Sequence, residues 1–213
     1  QSSNPGIYVG WGAAAATDYT IKIAEYLNAP VATTLQGKAS FPAFHPLHTG
    51  FGFGPNSVPA SQKAFKKCNA MLAVGVRFSE IATGSYGVKV PENLIHIDIN
   101  PEVFDKNYKT KINIEGDAEE SLKLLLAELE KINNKKEKRT STLEVMIKEE
   151  KEKYLKEWKK NCLPDKVSPG YFFEALMKFT DDETYFVVDD GKHTYLAAEL
   201  LSVNRTRHFI SPT

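Results

Sequence analysis

Residues 6–15 read Gly6-Ile7-Tyr8-Val9-Gly10-Trp11-Gly12-Ala13-Ala14-Ala15. An apolar run followed by two glycines and several alanines predicts a buried strand, a tight turn and a helix over residues 13–27. The spacing matches Gly-x-Gly-x-x-Ala, in which the glycines let a phosphate approach the helix N-terminus. The dinucleotide motif also has a carboxylate about 20 residues later. This chain has Thr33-Thr34-Leu35-Gln36 there, which disfavours the usual mode of NAD binding. A turn that only needs small residues explains the glycines equally well.

The rest of the first 132 residues alternates strand and helix patterns. Further apolar runs predict strands at residues 31–34, 71–76, 94–99 and 111–115. Helical patterns occupy 58–67 and 118–132, whereas 36–59 has no clear period and indicates a long loop of the kind that is usually functional. Since residues 71–76 are apolar on both faces, the sequence predicts an α/β fold, a Rossmann-like parallel sheet with helices on both faces.

The composition changes at residue 133. Residues 131–160 carry eleven Lys or Arg and six Glu, a net charge of +5. The interleaved Glu residues favour a solvated linker at 133–140 and an amphipathic connecting helix at 142–160 over a nucleic-acid-binding arm. Its apolar side is predicted to hold Leu143, Ile147, Tyr154 and Trp158.

A new unit begins after this helix. Ser168-Pro169 is a typical helix start, Phe172, Phe173, Leu176 and Met177 are its predicted buried face, and 185–188 is a predicted strand. One strand–helix unit cannot form a core of its own. We therefore predict a fragment with three parts: a nucleotide-binding-like domain at 5–132, a charged linker and helix at 133–165, and the truncated start of a second domain at 166–213.

The overall composition excludes several partners. The 213 residues are 42% hydrophobic and 25% charged, with 27 basic and 27 acidic side chains. This balance gives no general attraction to nucleic acid or to an anionic membrane, and no apolar run is long enough for a transmembrane helix. Two cysteines, Cys68 and Cys162, form no disulfide framework, so a cytoplasmic location is expected.

Several polar residues follow predicted strands. Arg77 follows 71–76, and Asp98 lies near the end of 94–99. Ligands of open parallel sheets bind beyond the carboxyl ends of the strands, where Arg suits a phosphate and Asp a ribose or an adenine amine. A surface salt bridge for Arg77 and a turn for Asp98 are the structural alternatives. Asp117, after 111–115, has the same two interpretations, because Asp117 and Glu120 approximate a capping box.

Other motifs are weaker. His45 and His48 have a spacing seen in zinc sites, but no third ligand is near in sequence. The glycine-rich loop Gly50-Phe51-Gly52-Phe53-Gly54 could approach a flat ligand or simply pack. The segment Gly191-Lys192-His193 opens a helix and could hold a phosphate, or be an ordinary helix start.

Taken in order, these segments resemble the central domain of thiamine-diphosphate enzymes of the acetolactate synthase type. The resemblance is carried by residues 30–37, 45–47 with 50–52, 74–78 with 83–84, 95–101 and 115–118. Residues 166–213 resemble the opening of the pyrophosphate-binding domain of the same enzymes. Intact members have three domains, act on small 2-keto acids and form homo-oligomers, so the resemblance implies the same for a full-length protein.

The resemblance also implies ligand contacts. A structural FAD in the central domain would touch Gly10, Gly12, Thr34, Leu35, Gly52, Phe53, Gly75, Arg77, Asp98, Gly116 and Asp117. The phosphates of thiamine diphosphate would lie near Gly191, Lys192 and His193, whereas the catalytic Glu and the Mg²⁺-binding motif would lie outside this chain. Three departures from the family pattern, Ser79, Ile81 and Gly54 in place of Asp, Arg and His, leave FAD, ADP or no nucleotide as alternatives. Decarboxylases, dione hydrolases and non-catalytic nucleotide-binding modules are the competing assignments.

Overall fold

A computed structural model describes residues 3–132, 142–160 and 162–212 of the chain. Its main feature is a six-stranded sheet with every neighbouring pair parallel and the order β3-β2-β1-β4-β5-β6. The strands are β1 (Pro5–Val9), β2 (Val31–Thr33), β3 (His48–Phe51), β4 (Ala70–Val74), β5 (Asn93–Asp98) and β6 (Ile112–Glu115). The predicted α/β class and parallel sheet are confirmed.

Helices cover both faces of this sheet, because neighbouring residues of a strand point to opposite sides. Ile7 and Val9 of β1 lie in one core cluster, with helix α1 (Thr17–Leu27) and helix α3 (Ala118–Ile132) packed on it. Tyr8 lies in the opposite cluster, which helices α2 (Pro59–Phe65) and α4 (Thr142–Lys160) cover.

The strand order places a crevice at β1. Because β2 lies on one side of β1 and β4 on the other, successive connections leave β1 and β4 in opposite directions. In open parallel sheets this reversal of order separates the loops and forms a binding crevice at the carboxyl ends of the strands. The site described below lies at this place.

Two predictions for the first half were wrong in detail. Residues 36–59 contain strand β3, which pairs with β2. Its sequence, His48-Thr49-Gly50-Phe51, has no apolar alternation and so gives no strand signal. Thr49 is nevertheless buried, because its hydroxyl donates to the Val31 carbonyl at 3.0 Å. The helix expected at 13–27 is also divided, into a 3-10 helix at Trp11–Ala16 and α1.

The last part of the described chain packs onto the sheet. It contains α5 (Pro169–Met177), β7 (Phe186–Val187), α6 (Lys192–Leu200) and β8 (Phe209–Ile210), and β7 pairs with β8 in parallel. Its core includes Phe173 and Phe209 together with Leu35 and Phe51 from the first part of the chain. The prediction that this unit needs other residues for its core agrees with this shared cluster, although strand β8 was not predicted.

The connecting helix is more than a solvated linker. Ile147 of α4 is fully buried, and Leu143, Tyr154 and Trp158 are partly buried, as its amphipathic pattern predicted.

In α5 the Ser168 hydroxyl accepts from the N–H of Tyr171 at 3.3 Å, which confirms the predicted cap. Phe172, expected to be buried, is 52% exposed. The linker expected at 133–140 lies outside the described residues. None of the described helices combines the length and apolar character needed to cross a membrane.

Candidate functional site

A cavity of about 460 Å³ lies at the carboxyl ends of the central strands. Gly12, Thr34, Gly75, Arg77 and Asp98, which belong to the turns after β1, β2, β4 and β5, are part of its wall. A second hollow of about 610 Å³ adjoins it and shares Thr34, Gln36, Arg77, Ser79 and Ala82. We refer to the two hollows together as the crevice.

Three glycines bring the ends of β1 and β4 together. A Cβ on Gly10 would lie 2.0 Å from the carbonyl oxygen of Gly75, and a Cβ on Gly12 would lie 2.8 Å from the Gly75 Cα. Gly75 also has a positive φ of +60°, which side-chain-bearing residues rarely adopt. Close backbone packing therefore explains why residue 10 is a glycine, since Gly10 is not part of the crevice wall. Gly12 and Gly75 are part of that wall, so packing explains them only in part.

Arg77 is an exposed cation that lines both hollows of the crevice. Its guanidinium donates to the side-chain oxygen of Gln36 at 3.2 Å. Within the described part of the chain, no carboxylate forms an ion pair with Arg77. The surface salt bridge considered as its structural role is thus not seen there, and the bond to Gln36 uses only one of the five N–H donors of the guanidinium.

Asp98 combines a turn role with a place in the crevice. Its Oδ1 accepts from the backbone N–H of Asn100 at 2.9 Å, as expected for a turn before Asn-Pro. Its backbone carbonyl accepts from Gly116 at 3.0 Å, which ties the turn after β5 to β6. Because the turn uses only Oδ1, the carboxylate still faces the cavity beside Gly75 and Arg77.

The loop after β4 is held in place from below. The hydroxyl of Tyr8 donates to the carbonyl of Ala82 at 2.5 Å in a fully buried bond, and burial raises the pKa of this phenol. The Nε2 atom of His96 lies 2.8 Å from the carbonyl of Val76, and burial lowers the pKa of this imidazole. These side chains fix the path of the loop that carries Arg77.

Comparison with known proteins agrees with this geometry. A family model described as thiamine pyrophosphate enzyme, central domain, matches residues 1–125. The chain belongs to this family. Similar proteins include a probable acetolactate synthase large subunit of Methanocaldococcus jannaschii, 32% identical over 99% of this chain and 36% of the relative. The acetolactate synthase large subunit of Buchnera aphidicola is 29% identical over 99% of this chain and 37% of its own length. The chain thus spans about a third of the length of these relatives.

Some sequence-predicted residues of this central domain lie outside the crevice wall. Phe53 packs edge-to-face on Tyr8 at 4.7 Å and lines a separate hollow of about 620 Å³, and Gly52 precedes it. Asp117 caps α3, because its Oδ1 accepts from the N–H groups of Glu119 and Glu120 at 2.9 and 3.1 Å. Gly116 precedes this cap. Leu35, by contrast, belongs to the crevice, because it lines the second hollow.

The predicted phosphate-binding segment lies at the start of α6. Gly191 precedes the first turn with a φ of +146°, and Lys192 and His193 are exposed. None of these three residues belongs to the crevice wall. The predicted phosphate contacts of the second unit thus lie apart from the crevice of the central domain.

Sequence reasoning missed several residues of the crevice wall. They are Trp11, Gln36, Val76, Ser79, Ala82, Ile210 and Ser211 in the first hollow. Gln36 and Ser79 each lie within two residues of a predicted contact, so proximity in sequence could have found them. Ile210 is the last residue of β8 and Ser211 follows it, and no local pattern predicts that this strand approaches the crevice.

The two histidines of the pair contact different side chains. The Nε2 atom of His45 lies 3.5 Å from a carboxylate oxygen of Glu25, and the Nδ1 atom of His48 lies 3.3 Å from the ammonium of Lys151. Among the described residues, no three His, Cys, Asp or Glu side chains are grouped as metal ligands.

Proposed function

We propose that this chain is the central region of a thiamine-diphosphate-dependent enzyme of the acetolactate synthase type, which acts on 2-keto acids. We further propose that its crevice holds a nucleotide, FAD or ADP, as a structural ligand. The observation that carries the proposal is the convergence of four strand ends, with Arg77 and Asp98, on one cavity. A cytoplasmic homo-oligomer is the proposed form of the full-length protein, although one relative from Zea mays is named chloroplastic.

The crevice residues fit a nucleotide chemically. Arg77 offers a planar guanidinium to a phosphate, and Asp98 offers a carboxylate to a ribose hydroxyl or an adenine amine. The second hollow continues the groove past Ile81, Tyr86 and Val103, which give it an apolar wall for a flat ring. The elongated shape therefore suits a phosphate in the first hollow and a ring system in the second.

The charges around the second hollow favour ADP over FAD as the ligand. Its wall includes the carboxylates of Glu80 and Glu102, whereas Arg77 and Lys106 are its cationic lining residues. Ile81 stands where the family pattern has Arg. A ligand with its phosphates gathered near Arg77 avoids these carboxylates better than an extended dinucleotide does.

The residues at the start of α6 fit a diphosphate. The exposed Lys192 and His193, together with the first N–H groups of the helix, offer positive charge and donors to anionic oxygens. No metal-ligand group occurs among the described residues, so a divalent ion would take its protein ligands from elsewhere in the full enzyme. In such enzymes thiamine diphosphate supplies the nucleophilic carbon that attacks the 2-keto acid. Lys192 and His193 would contribute only by binding and orienting the diphosphate.

Nucleotide binding tests the crevice assignment. FAD and ADP are titrated separately by calorimetry into the wild-type chain and into Arg77→Ala. Arg205→Ala is the matched control, because it removes an exposed Arg that lies outside the crevice and pairs with Glu183. We expect Arg77→Ala to weaken the preferred nucleotide by about tenfold or more, since a hydrogen bond to a charged group is lost. Equal affinity of the two variants for both nucleotides would place the site elsewhere.

Activity tests the enzyme assignment. The chain spans about a third of the length of its relatives, and we propose that it is catalytically silent by itself. Incubation with pyruvate, thiamine diphosphate and Mg²⁺ should give no acetolactate above the blank. Acetolactate formation would contradict the proposed inactivity. A chain that binds ADP or FAD, while the intact protein containing it has no activity on any 2-keto acid, would instead indicate a non-catalytic nucleotide-binding module.

A further inference from the structure

A small cavity away from the crevice is lined by basic residues, two of them buried and one half-buried. It has a volume of about 180 Å³ and lies between β3, α4 and α6. None of its lining residues belongs to the crevice wall. Lys38, His48 and Lys151 contribute their side chains to it.

Lys38 is almost completely buried, with 3% of its surface exposed. Its ammonium donates to the carbonyl of Ala198 at 2.6 Å, in the last turn of α6. Carbonyls in the last turn of a helix lack partners within the helix, and a cation there is favourable. This bond uses one of the three N–H donors of the ammonium.

Lys151 and His48 form a directional pair. The Lys151 ammonium lies 3.3 Å from Nδ1 of His48 and 3.4 Å from the carbonyl of Ala43. Because Lys can only donate, Nδ1 of the neutral imidazole is the acceptor, and the ring proton is therefore on Nε2. His48 is 3% exposed, and its Nε2 has no hydrogen-bond partner among the described residues. A buried donor of this kind is costly unless an acceptor occupies the cavity.

Of the two carboxylates in the cavity wall, Glu199 is a counter-charge to Lys38 and raises its pKa. Glu199 accepts a short hydrogen bond from the hydroxyl of Tyr154, and Glu150 pairs with Lys63 at 2.7 Å. Burial and the neighbouring Lys151 lower the pKa of Lys38 to about 7, and burial lowers the pKa of Lys151 to about 8. Burial outweighs the attraction of Glu199 in the pKa shift of Lys38, so this one carboxylate does not fully compensate the charge.

We propose that this cavity binds a small inorganic oxyanion of the phosphate class, held by the ammonium groups of Lys38 and Lys151 and by the Nε2–H of His48. The cavity has room for such an ion, since a water molecule takes about 30 Å³ of the liquid. The bound anion would complete the contact between α6, α4 and the edge of the sheet. This site is independent of the nucleotide proposed for the crevice.

Binding of inorganic phosphate tests the proposal. Calorimetric titrations at about neutral pH, in a buffer of low ionic strength, compare the wild-type chain with Lys38→Gln and Lys151→Gln. Lys148→Gln is the control, because Lys148 lies on the same helix but is exposed and does not line the cavity. We expect one saturable site, weakened by about tenfold or more in each of the first two variants and unchanged in the control. Acetate should bind more weakly, because it carries a single charge.

Two further measurements, on Arg77→Ala and on the His48 ring, separate this proposal from the crevice assignment and from a failure of the variants to fold. Arg77→Ala should retain the phosphate affinity, so that a failure of the crevice assignment and a failure of this one are distinguished. If the lysine variants do not fold, the ring ¹⁵N signals of His48 in the wild-type chain replace them, and the Nε2 signal should shift at saturating phosphate. An absence of saturable binding, equal affinity in all lysine variants, or an unchanged His48 signal would each overturn the proposal.

Discussion

The backbone of Gly75 packs directly on the backbone of Gly12, so closely that a Cβ on Gly75 would lie 2.5 Å from the Gly12 Cα. This contact joins the turns after β1 and β4, the two strands at which the sheet order reverses. The crevice exists because the two turns meet at this point and the loops beyond them separate. Its shape thus depends on two positions that have no side chain.

Gly75→Ala should destabilise the fold by at least about 2 kcal/mol, because it adds a backbone clash to the cost of a positive φ in a residue with a side chain. Urea unfolding measures this free energy. Gly116→Ala is the control, since its Cβ would meet only the hydroxyl of Ser121 at 3.1 Å and its φ is not in the positive region. Equal destabilisation of the two variants would show that the Gly12–Gly75 contact is not the constraint.

The buried phenol below the crevice gives a second prediction. Tyr8→Phe removes the donor to the Ala82 carbonyl and should cost about 1–3 kcal/mol, because a buried acceptor loses its partner. Since Ala82 belongs to both hollows, nucleotide affinity should also fall. Tyr26→Phe is the comparison, because its hydroxyl donates to the Leu129 carbonyl on the other face of the sheet. If Tyr8→Phe binds nucleotide as tightly as Tyr26→Phe does, the loop does not depend on this bond.

The fold was predictable where the hydrophobic period is strong. The run at 71–76 and the helix at 118–132 lie where the sequence placed them, because a strand buried on both faces and an amphipathic helix have distinct patterns. Strand β3 was missed because His48 and Thr49 are buried polar residues whose partners lie outside the strand. Strand β8 was missed because its two residues form no period of their own.

The candidate site was predictable only in part. Arg77 and Asp98 could be placed in one crevice because the carboxyl ends of parallel strands meet at the same edge of a sheet. Ile210 could not, since its approach depends on the docking of α5 and α6 against Leu35 and Phe51. The cavity lined by Lys38, His48 and Lys151 could not be predicted for the same reason, because its residues come from three separate parts of the chain.

Substitutions of Asp117 distinguish its role as a helix cap from a role as a nucleotide contact. Its carboxylate accepts from two N–H groups in the first turn of α3, so Asp117→Ala should cost about 1 kcal/mol in unfolding free energy. Because Asp117 is not part of the crevice wall, the affinity for FAD or ADP should not change. Asp117→Asn should restore most of the stability, since Asn caps helices about as well as Asp. A loss of nucleotide affinity in a folded Asp117→Ala chain would show that Asp117 contacts the nucleotide.

The buried lysines should make stability depend on pH. The pKa of Lys38 is lowered to about 7 and that of Lys151 to about 8, whereas both would be near 10.5 in the unfolded chain. Between these limits the unfolded state binds more protons than the folded state, so the free energy of unfolding should rise with pH. Each group contributes at most about 1.4 kcal/mol per pH unit.

Urea unfolding between about pH 6.5 and pH 8.5, in a buffer without phosphate, measures this slope. Lys38→Met should reduce the slope and should be more stable relative to wild type at the acidic end, because the buried charge is gone. Lys148→Met, which removes an exposed charge from α4, should keep the wild-type slope. His45 and His96, whose pKa values are lowered, are present in all three proteins and cancel in the comparison. The pKa of His48 is lowered in part by Lys38 and should rise in Lys38→Met, but it titrates below this pH range. Identical slopes for Lys38→Met and wild type would mean that Lys38 keeps its ordinary pKa in the folded chain.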